Sequence, residues 1–357
     1  MKQKITIILM IIVLSASIYT IPSSAQTIDQ VTVLIDKTHL EKYSYDTNLT
    51  KAINALNLST HFLVKVLDDG EIDNNTLNNV DILMITSPQQ TLSDNESLAI
   101  QEFLSKGGRL FLSTDPQIGE NTTYEHKLGN PEVFQKILDS LNITQIKISM
   151  DVKRNNETNE ITDIYGDSLL DIEHSVDENH TYLVRLDAST FTVGHTISQG
   201  ISEVYTITAT FKPTNTSFAI GRGYNTSFAQ YVVDNKYRNA SFPAMNFQTY
   251  YDIMNETGVP PFSAINGTRP PWLIGIQMNQ SKIAIVGSTI MFSDVECEIL
   301  NTTWFDTANN AQLFMNIMEW LGEDLIQTPT VIPYIAGFSL VMMVIGLLVY
   351  LRGKKEE

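Results

Sequence analysis

DILMITSPQQTLSDNESLAIQEFLSKGGRLFLSTD, residues 81–115, reads as two buried strands and the helix that joins them. Asp81 to Ile85 is a short apolar run, and Thr86-Ser87-Pro88 breaks it, because a proline drives the residue before it out of helical backbone. Ser93-Asp94-Asn95-Glu96 forms a capping box, in which the serine hydroxyl satisfies an open helix amide and the glutamate reaches back to the serine amide. Helical spacing runs on through Leu98, Ile100, Phe103 and Leu104 and stops at Gly107-Gly108. Arg109 to Ser113 is the second strand, ending at Thr114-Asp115-Pro116. Strands that are apolar throughout, with a helix between them, run parallel and are covered on both faces.

The same rhythm extends in both directions. Gln30 to Ile35 and His61 to Leu67 predict strands, with a helix over Thr47 to Leu56 between them. Pro131 suits the first turn of a helix that reaches Leu141. From 151 to 270 the pattern changes to short alternating runs such as Thr181–Leu186 and Val204–Phe211, which predict antiparallel strands. Lys282 to Val286 is again a buried strand, Gly287-Ser288 a turn, and Thr307 to Leu321 an amphipathic helix. The expectation is an α/β domain begun by residues 26–150 and completed by 271–325, with 151–270 a β-rich insertion or second subdomain; tandem domains are the alternative.

Both ends carry membrane signals. Lys2 and Lys4, an apolar run from Ile5 to about Ala16, and Ser23-Ser24-Ala25 predict a signal peptide over residues 1–25. Residues 331–351 contain no charge and, as a helix of about 31 Å, would match a bilayer core. Arg352, Lys354 and Lys355 follow while Glu323 and Asp324 precede, so the expectation is a single-pass type I protein of the cell membrane. Its tail, 352–357, would lie in the cytoplasm and its bulk outside. The net charge is −17, and the middle of the chain is more acidic than the ends, which excludes nucleic acid as a partner.

Asn-x-Ser/Thr supports an exterior location independently. The 27 asparagines and the Ser/Thr content would give about five glycosylation sequons by chance. Fifteen occur: Asn48, Asn57, Asn74, Asn95, Asn121, Asn142, Asn156, Asn179, Asn215, Asn225, Asn239, Asn255, Asn266, Asn279 and Asn301.

Candidate chemistry is sparse. In a doubly wound sheet, ligands collect at the carboxyl ends of the strands, where Asp36, Ser87, Asp115 and Ser288 fall. These four form a candidate binding crevice, set against the plainer reading of solvated, helix-capping turns. Asp167, Asp171, Glu173, His174, Asp177, Glu178 and His180 crowd one segment, but their spacing fits no EF-hand, and an exposed acidic loop is expected. Cys297 is the sole cysteine, so an intrachain disulfide and a multi-thiolate site are excluded; a half-buried structural thiol is expected, because its acidic neighbours oppose a reactive thiolate. No metal and no cofactor are expected.

Three segments together resemble a known group. They are 81–88 with 100–115, Gly194-His-Thr-Ile-Ser-Gln-Gly-Ile201, and Lys282 to Asp294 followed by Asn309 to Leu321. In that order they resemble the class I glutamine-amidotransferase-like superfamily, in its non-catalytic branch, which includes GldG-type accessory proteins of ABC transporters and the N-terminal domain of an intraflagellar-transport subunit. The resemblance implies a flavodoxin-like three-layer sandwich. Catalytic members carry a cysteine on a Gly-x-Cys-x-Gly elbow; the matching turn here, Ser113-Thr114-Asp115-Pro116, has neither the cysteine nor the glycines. It therefore implies a non-enzymatic binding or assembly module, accessory to a transporter or envelope complex. The alternative is a surface hydrolase using Asp115 with Ser87, and His195 is expected to mark a turn rather than a base.

Overall fold

A computed structural model describes residues 30–43, 48–118, 128–154, 158, 161–171, 173–176, 180–230, 269–297 and 299–326. The segments expected as signal peptide (1–25), transmembrane helix (331–351) and tail (352–357), and residues 231–268, lie outside the described residues. Among the described residues, no helix is long and apolar enough to cross a membrane.

Seven strands make the central sheet. They are β1 (Val31–Asp36), β2 (Phe62–Leu67), β3 (Ile82–Thr86), β4 (Arg109–Ser113), β5 (Ala219–Arg222), β6 (Pro271–Met278) and β7 (Ser281–Val286). The order is β5-β6-β7-β4-β3-β1-β2. Strands β2, β1, β3, β4 and β7 run parallel, and β6 and β5 extend the sheet antiparallel. Every residue of β1, β3, β4 and β7 is buried, which is why these strands read as unbroken apolar runs. The sequence pattern concealed β6 behind Pro270-Pro271, although a proline is tolerated at the first position of a strand. Asn279 turns the chain from β6 into β7 with φ +52°, a left-handed position that asparagine accepts.

Helices α1 (Thr50–Leu58), α2 (Asp94–Ser105), α3 (Pro131–Ser140) and α4 (Asn310–Gly322) complete the layers. Side chains alternate along β4. Leu110 and Leu112 join Ile100 and Phe103 of α2 and Phe134 and Ile137 of α3 in one core. Phe111 points the opposite way, 6.3 Å from Phe292 and 6.1 Å from Phe314 of α4 between ring centroids. The capping box forms as expected, with Ser93 Oγ accepting from Glu96 N and Glu96 Oε2 accepting from Ser93 N. Gly107 takes φ +95° and ends α2, and Asn130 caps α3 ahead of Pro131.

Helix α1 begins at Thr50, three residues later than its spacing suggests. No side chain of its own caps it. Asp294 does so instead, accepting from Thr50 N and Lys51 N at 2.8 and 3.0 Å across a sequence gap of more than 240 residues. At the other end of the fold, Lys282 is buried under α4, where Nζ donates to Trp320 O and pairs with Glu323 and Asp324. Short antiparallel pairs surround the sheet. Val184–Asp187 pairs with Glu203–Thr206, Ile146–Ile148 with Phe211–Pro213, Ser168–Leu170 with Phe228–Gln230, and Met150–Arg154 with Ile161–Gly166. The expected strands at 181–186 and 204–211 are thus shorter, and the second is split in two.

Removing the Phe314 ring would leave Phe111 and Phe292 facing a void. Phe314→Ala should lower unfolding free energy by about 3–5 kcal/mol in a denaturant titration, with far-ultraviolet circular dichroism unchanged under native conditions.

Candidate functional site

Asp115 follows β4 directly and is fully buried. Its Oδ1 accepts from Thr289 N at 2.8 Å and Ile290 N at 2.9 Å, both on the turn that leaves β7. Its Oδ2 accepts from the Ser87 hydroxyl at the end of β3. Ser87 Oγ also lies 2.9 Å from Thr289 Oγ1, and that hydroxyl donates to Ser113 Oγ at 2.8 Å. One carboxylate therefore joins the ends of three parallel strands. Burial pushes the Asp115 carboxyl up to about 6, although the hydrogen bonds from Ile290, Ser87 and Thr289 favour its ionised form.

The strand ends here are sealed. Gly129 lies so close that a Cβ would stand 2.8 Å from Asp115 N and 3.0 Å from Ser87 Oγ, so glycine is needed for the chain to pass over them. Beside the seal is a polar cleft of about 250 Å³ lined by Gln89, Gln117, Gly129, Asn130, Glu132 and Gly166.

A second cluster forms at the end of β1. Asp36 Oδ1 accepts from Thr38 N at 3.0 Å and Thr38 Oγ1 at 2.8 Å, and its Oδ2 lies 2.7 Å from His39 Nδ1. His39 Nε2 faces Glu96 Oε2 at 3.2 Å, so the capping glutamate of α2 also holds this ring. Glu41 Oε1 accepts from His39 N at 3.3 Å. All four side chains are buried. Leu40, between His39 and Glu41, takes φ +53° and projects into solvent, which turns both neighbours inward. The loop is tied across to β3 by Lys42 N donating to Ser87 O, Gln89 N to His39 O, and Thr86 Oγ1 to Tyr43 O.

The charges in this cluster are interlocked. Burial by itself disfavours the His39 imidazolium, but the hydrogen bond and charge of Asp36 and the charge of Glu96 outweigh it and place the ring at about 9. Burial and the adjacent Asp36 carboxylate push Glu41 up to about 8. Burial opposes ionisation of Asp36 and Glu96 too; the His39 and Glu41 hydrogen bonds overcome it for Asp36, and the Ser93 and Ile72 amides for Glu96, so both sit below the ordinary carboxylate range. Among the described residues, Asp36, His39 and Glu41 are the group whose ligand atoms could gather round one metal ion.

The four residues of the expected crevice are thus all buried, but they do not form one site. Ser87 and Asp115 meet; Asp36 belongs to the histidine cluster; Ser288 Oγ accepts from Met291 N and caps its own turn. His39, Glu41 and Glu96 gave no sequence signal beyond the helix cap. The two-residue spacing of His39 and Glu41, close behind a strand-end aspartate, was the clue available.

His195 caps the turn Thr196–Ser198, with Nδ1 accepting from Ile197 N, and its ring lies 5.7 Å from that of Trp320. Asn316 of α4 fastens the same turn by donating to Ile197 O and Gln199 O. The acidic segment is not an exposed loop throughout. Asp167 and Asp171 are fully buried: Asp167 accepts from Ser149 Oγ, and Asp171 from the Glu173 and His174 amides and the Thr226 and Ser227 hydroxyls. Asp171 Oδ1 also lies 3.1 Å from His174 Nδ1, so both carboxylates have partners within the chain. Asp177 and Glu178 lie outside the described residues. Cys297 is fully rather than half buried, in the small hairpin Glu296–Cys297 with Thr302–Thr303.

Nine of the fifteen sequon asparagines are described, and all nine are exposed: Asn48, Asn57, Asn74, Asn95, Asn142, Asn215, Asn225, Asn279 and Asn301. Of the described asparagines outside sequons, Asn54, Asn75, Asn78 and Asn79 are exposed too, while Asn130, Asn309, Asn310 and Asn316 are partly or fully buried. Asn142 and Asn279 flank a cleft of about 600 Å³ lined also by Leu104, Ser105 and Ser281.

No protein-family model matches the chain, and no curated protein matches it. Among solved structures it is similar to the mmIFT52 N-terminal domain, at 14% identity and a TM-score of 0.48, over 81% of this chain and 96% of that one. It is also similar to a ThuA-like protein from Parabacteroides merdae ATCC 43184, at 9% identity and a TM-score of 0.39, over 84% and 93%. A β-galactosidase from Rahnella sp. R3 is similar at 10% identity and a TM-score of 0.35, over 84% of this chain but 32% of that one. These are likenesses of backbone outline, and the chemistry of the site is read from the residues of this chain.

Asp115→Asn would turn an amide NH2 toward groups that themselves donate. It should cost about 3 kcal/mol of stability at neutral pH, read from denaturant midpoints. The histidine cluster sets a second expectation. The imidazolium of His39 and the neutral carboxyl of Glu41 are both favoured by folding, so their contributions are present at low pH and are lost as pH rises through about 8 to 9. In the presence of a chelator, the thermal midpoint should fall between pH 7 and 9.5, and His39→Gln should flatten that fall.

Proposed function

We propose that this chain is a membrane-anchored extracellular module that binds or assembles with other proteins, without catalytic turnover, as an accessory of an ABC-type transporter or envelope complex. One observation carries the reading. At the turn after β4, where a catalytic relative would present its nucleophile, this chain has a fully buried aspartate whose two oxygens are both engaged in holding strands together. Ser87 and Ser113 give their hydroxyls to the same network, and the two ring nitrogens of the nearest strand-end histidine, His39, face Asp36 and Glu96. A nucleophile needs a base in reach and a path to substrate, and these serines are buried with their hydroxyls engaged.

The anchoring is supported by the two terminal segments, and the exterior location by the sequons, whose described members all face solvent. A second reading, a hydrolase built on Ser87 and Asp115, is favoured by one observation: Ser87 sits at φ +44°, a strained position for a serine at a strand end. Isolation of the full-length protein from its native membrane tests the first reading. A transporter or envelope subunit should co-purify, peptides around the exposed sequons should carry glycans, and a broad panel of ester, amide and glycoside substrates should remain intact. Turnover that Asp115→Ala abolishes would favour the hydrolase, and a sugar-free cytosolic protein retaining residues 1–25 would overturn the anchoring.

A further inference from the structure

The cluster after β1 has no part in the strand-end latch, and its polar groups are not fully satisfied. Glu41 is 9% exposed, and its Oε2, shielded from solvent, meets no N–H or hydroxyl donor among the described residues; the group it can share a proton with is the Asp36 carboxylate. Two carboxyl groups pressed together in a buried site must share a proton or hold a cation between them. The atoms that Asp36, His39 and Glu41 offer as ligands lie within 4.8 Å of one another, and all three side chains are buried.

The surroundings suit a cation in three further respects. Asp36 is held by Thr38, so its carboxylate is already oriented. Asp36 Oδ2 and His39 Nδ1 stand side by side at 2.7 Å, so one ion could take the place of the proton between them. Glu96 Oε2, 3.2 Å from His39 Nε2 on the other edge of the ring, fixes the imidazole, as second carboxylates do behind metal-bound histidines. The carboxylates outnumber the one basic side chain three to one, and a divalent cation offsets that excess. We propose that Asp36, His39 and Glu41 bind one divalent transition-metal ion, with Glu96 as the neighbouring carboxylate. An imidazole nitrogen with carboxylate oxygens is a borderline donor set, which selects zinc or manganese over magnesium and calcium.

The position has a consequence. The loop lies between the ends of β1 and β3, where the order of a doubly wound sheet reverses and where ligands of such sheets gather. A bound ion would rigidify the loop that displays Leu40, 61% exposed, at that point of the surface. The site depends on neither the membrane anchor nor the absence of catalysis.

The test uses full-length protein in detergent, stripped with chelator and dialysed. Zinc chloride and manganese chloride are titrated by calorimetry, with magnesium and calcium chloride in parallel, and thermal midpoints are measured with each. The expected result is saturable uptake of one zinc or manganese ion per chain, a raised midpoint, and at least tenfold weaker uptake in Glu41→Gln and His39→Gln. His174→Gln, which alters the other buried aspartate–histidine contact, should bind as the parent does. Should His39→Gln fail to fold, Glu41→Gln decides alone, together with the visible spectrum of the cobalt-substituted parent, where imidazole–carboxylate ligation should appear. No saturable uptake, uptake unchanged by Glu41→Gln, or uptake lost in His174→Gln would overturn the proposal.

Discussion

The carboxylate of Asp115 is the contact on which the architecture turns. β4 and β7 are adjacent in the sheet but more than 165 residues apart in sequence, and backbone pairing alone does not hold the turn that leaves β7. Asp115 takes the Thr289 and Ile290 amides of that turn and the Ser87 hydroxyl of β3 into one buried carboxylate. Charge-assisted hydrogen bonds in a dry interior are strong when every lone pair is used, and costly when one is left open. Asp115 thus adds a buried side-chain tie to the backbone ladder that returns the chain to its first sheet, and both its oxygens are engaged in it.

The neighbouring cluster follows the opposite logic. Asp36 and Glu96 are satisfied by hydroxyl, amide and imidazole donors, while Glu41 Oε2 meets no N–H or hydroxyl and is left against the Asp36 carboxylate. Both clusters lie at the carboxyl ends of the parallel strands, and they share a backbone link, since Ser87, the donor to Asp115, accepts from Lys42 of the histidine loop. A change in the loop is thereby connected through one peptide to the latch. The end of the sheet where ligands would collect is thus divided between a closed structural network and an open one.

The asparagines tell a consistent story about the outside of the molecule. Each described sequon asparagine reaches solvent, including Asn215, which caps a short turn, and Asn74, which donates to Glu102, whereas the caps and ties Asn130, Asn309, Asn310 and Asn316 are partly or fully buried. Four of the sequon asparagines, Asn48, Asn142, Asn279 and Asn301, occupy left-handed turns, which asparagine tolerates and which project outward between elements.

Local signals in the sequence were sufficient for the parallel strands, for α2 with its capping box and terminal glycine, and for the return of a strand near residue 282. Each rests on interactions within a few residues or on the continuous burial that a central strand requires. β6 was hidden by its leading prolines, and the start of α1 was misplaced because its cap, Asp294, comes from a distant loop. The acidic segment looked solvated because a carboxylate's burial depends on donors such as Ser149, Thr226 and Ser227 that only folding brings to it. For the same reason Asp36, Ser87, Asp115 and Ser288 could be placed at strand ends from the sequence, while their division into a latch, a cap and a histidine cluster could not. Strand ends are set by local pattern; which strand ends touch, and whether water reaches them, is set by the order of the sheet.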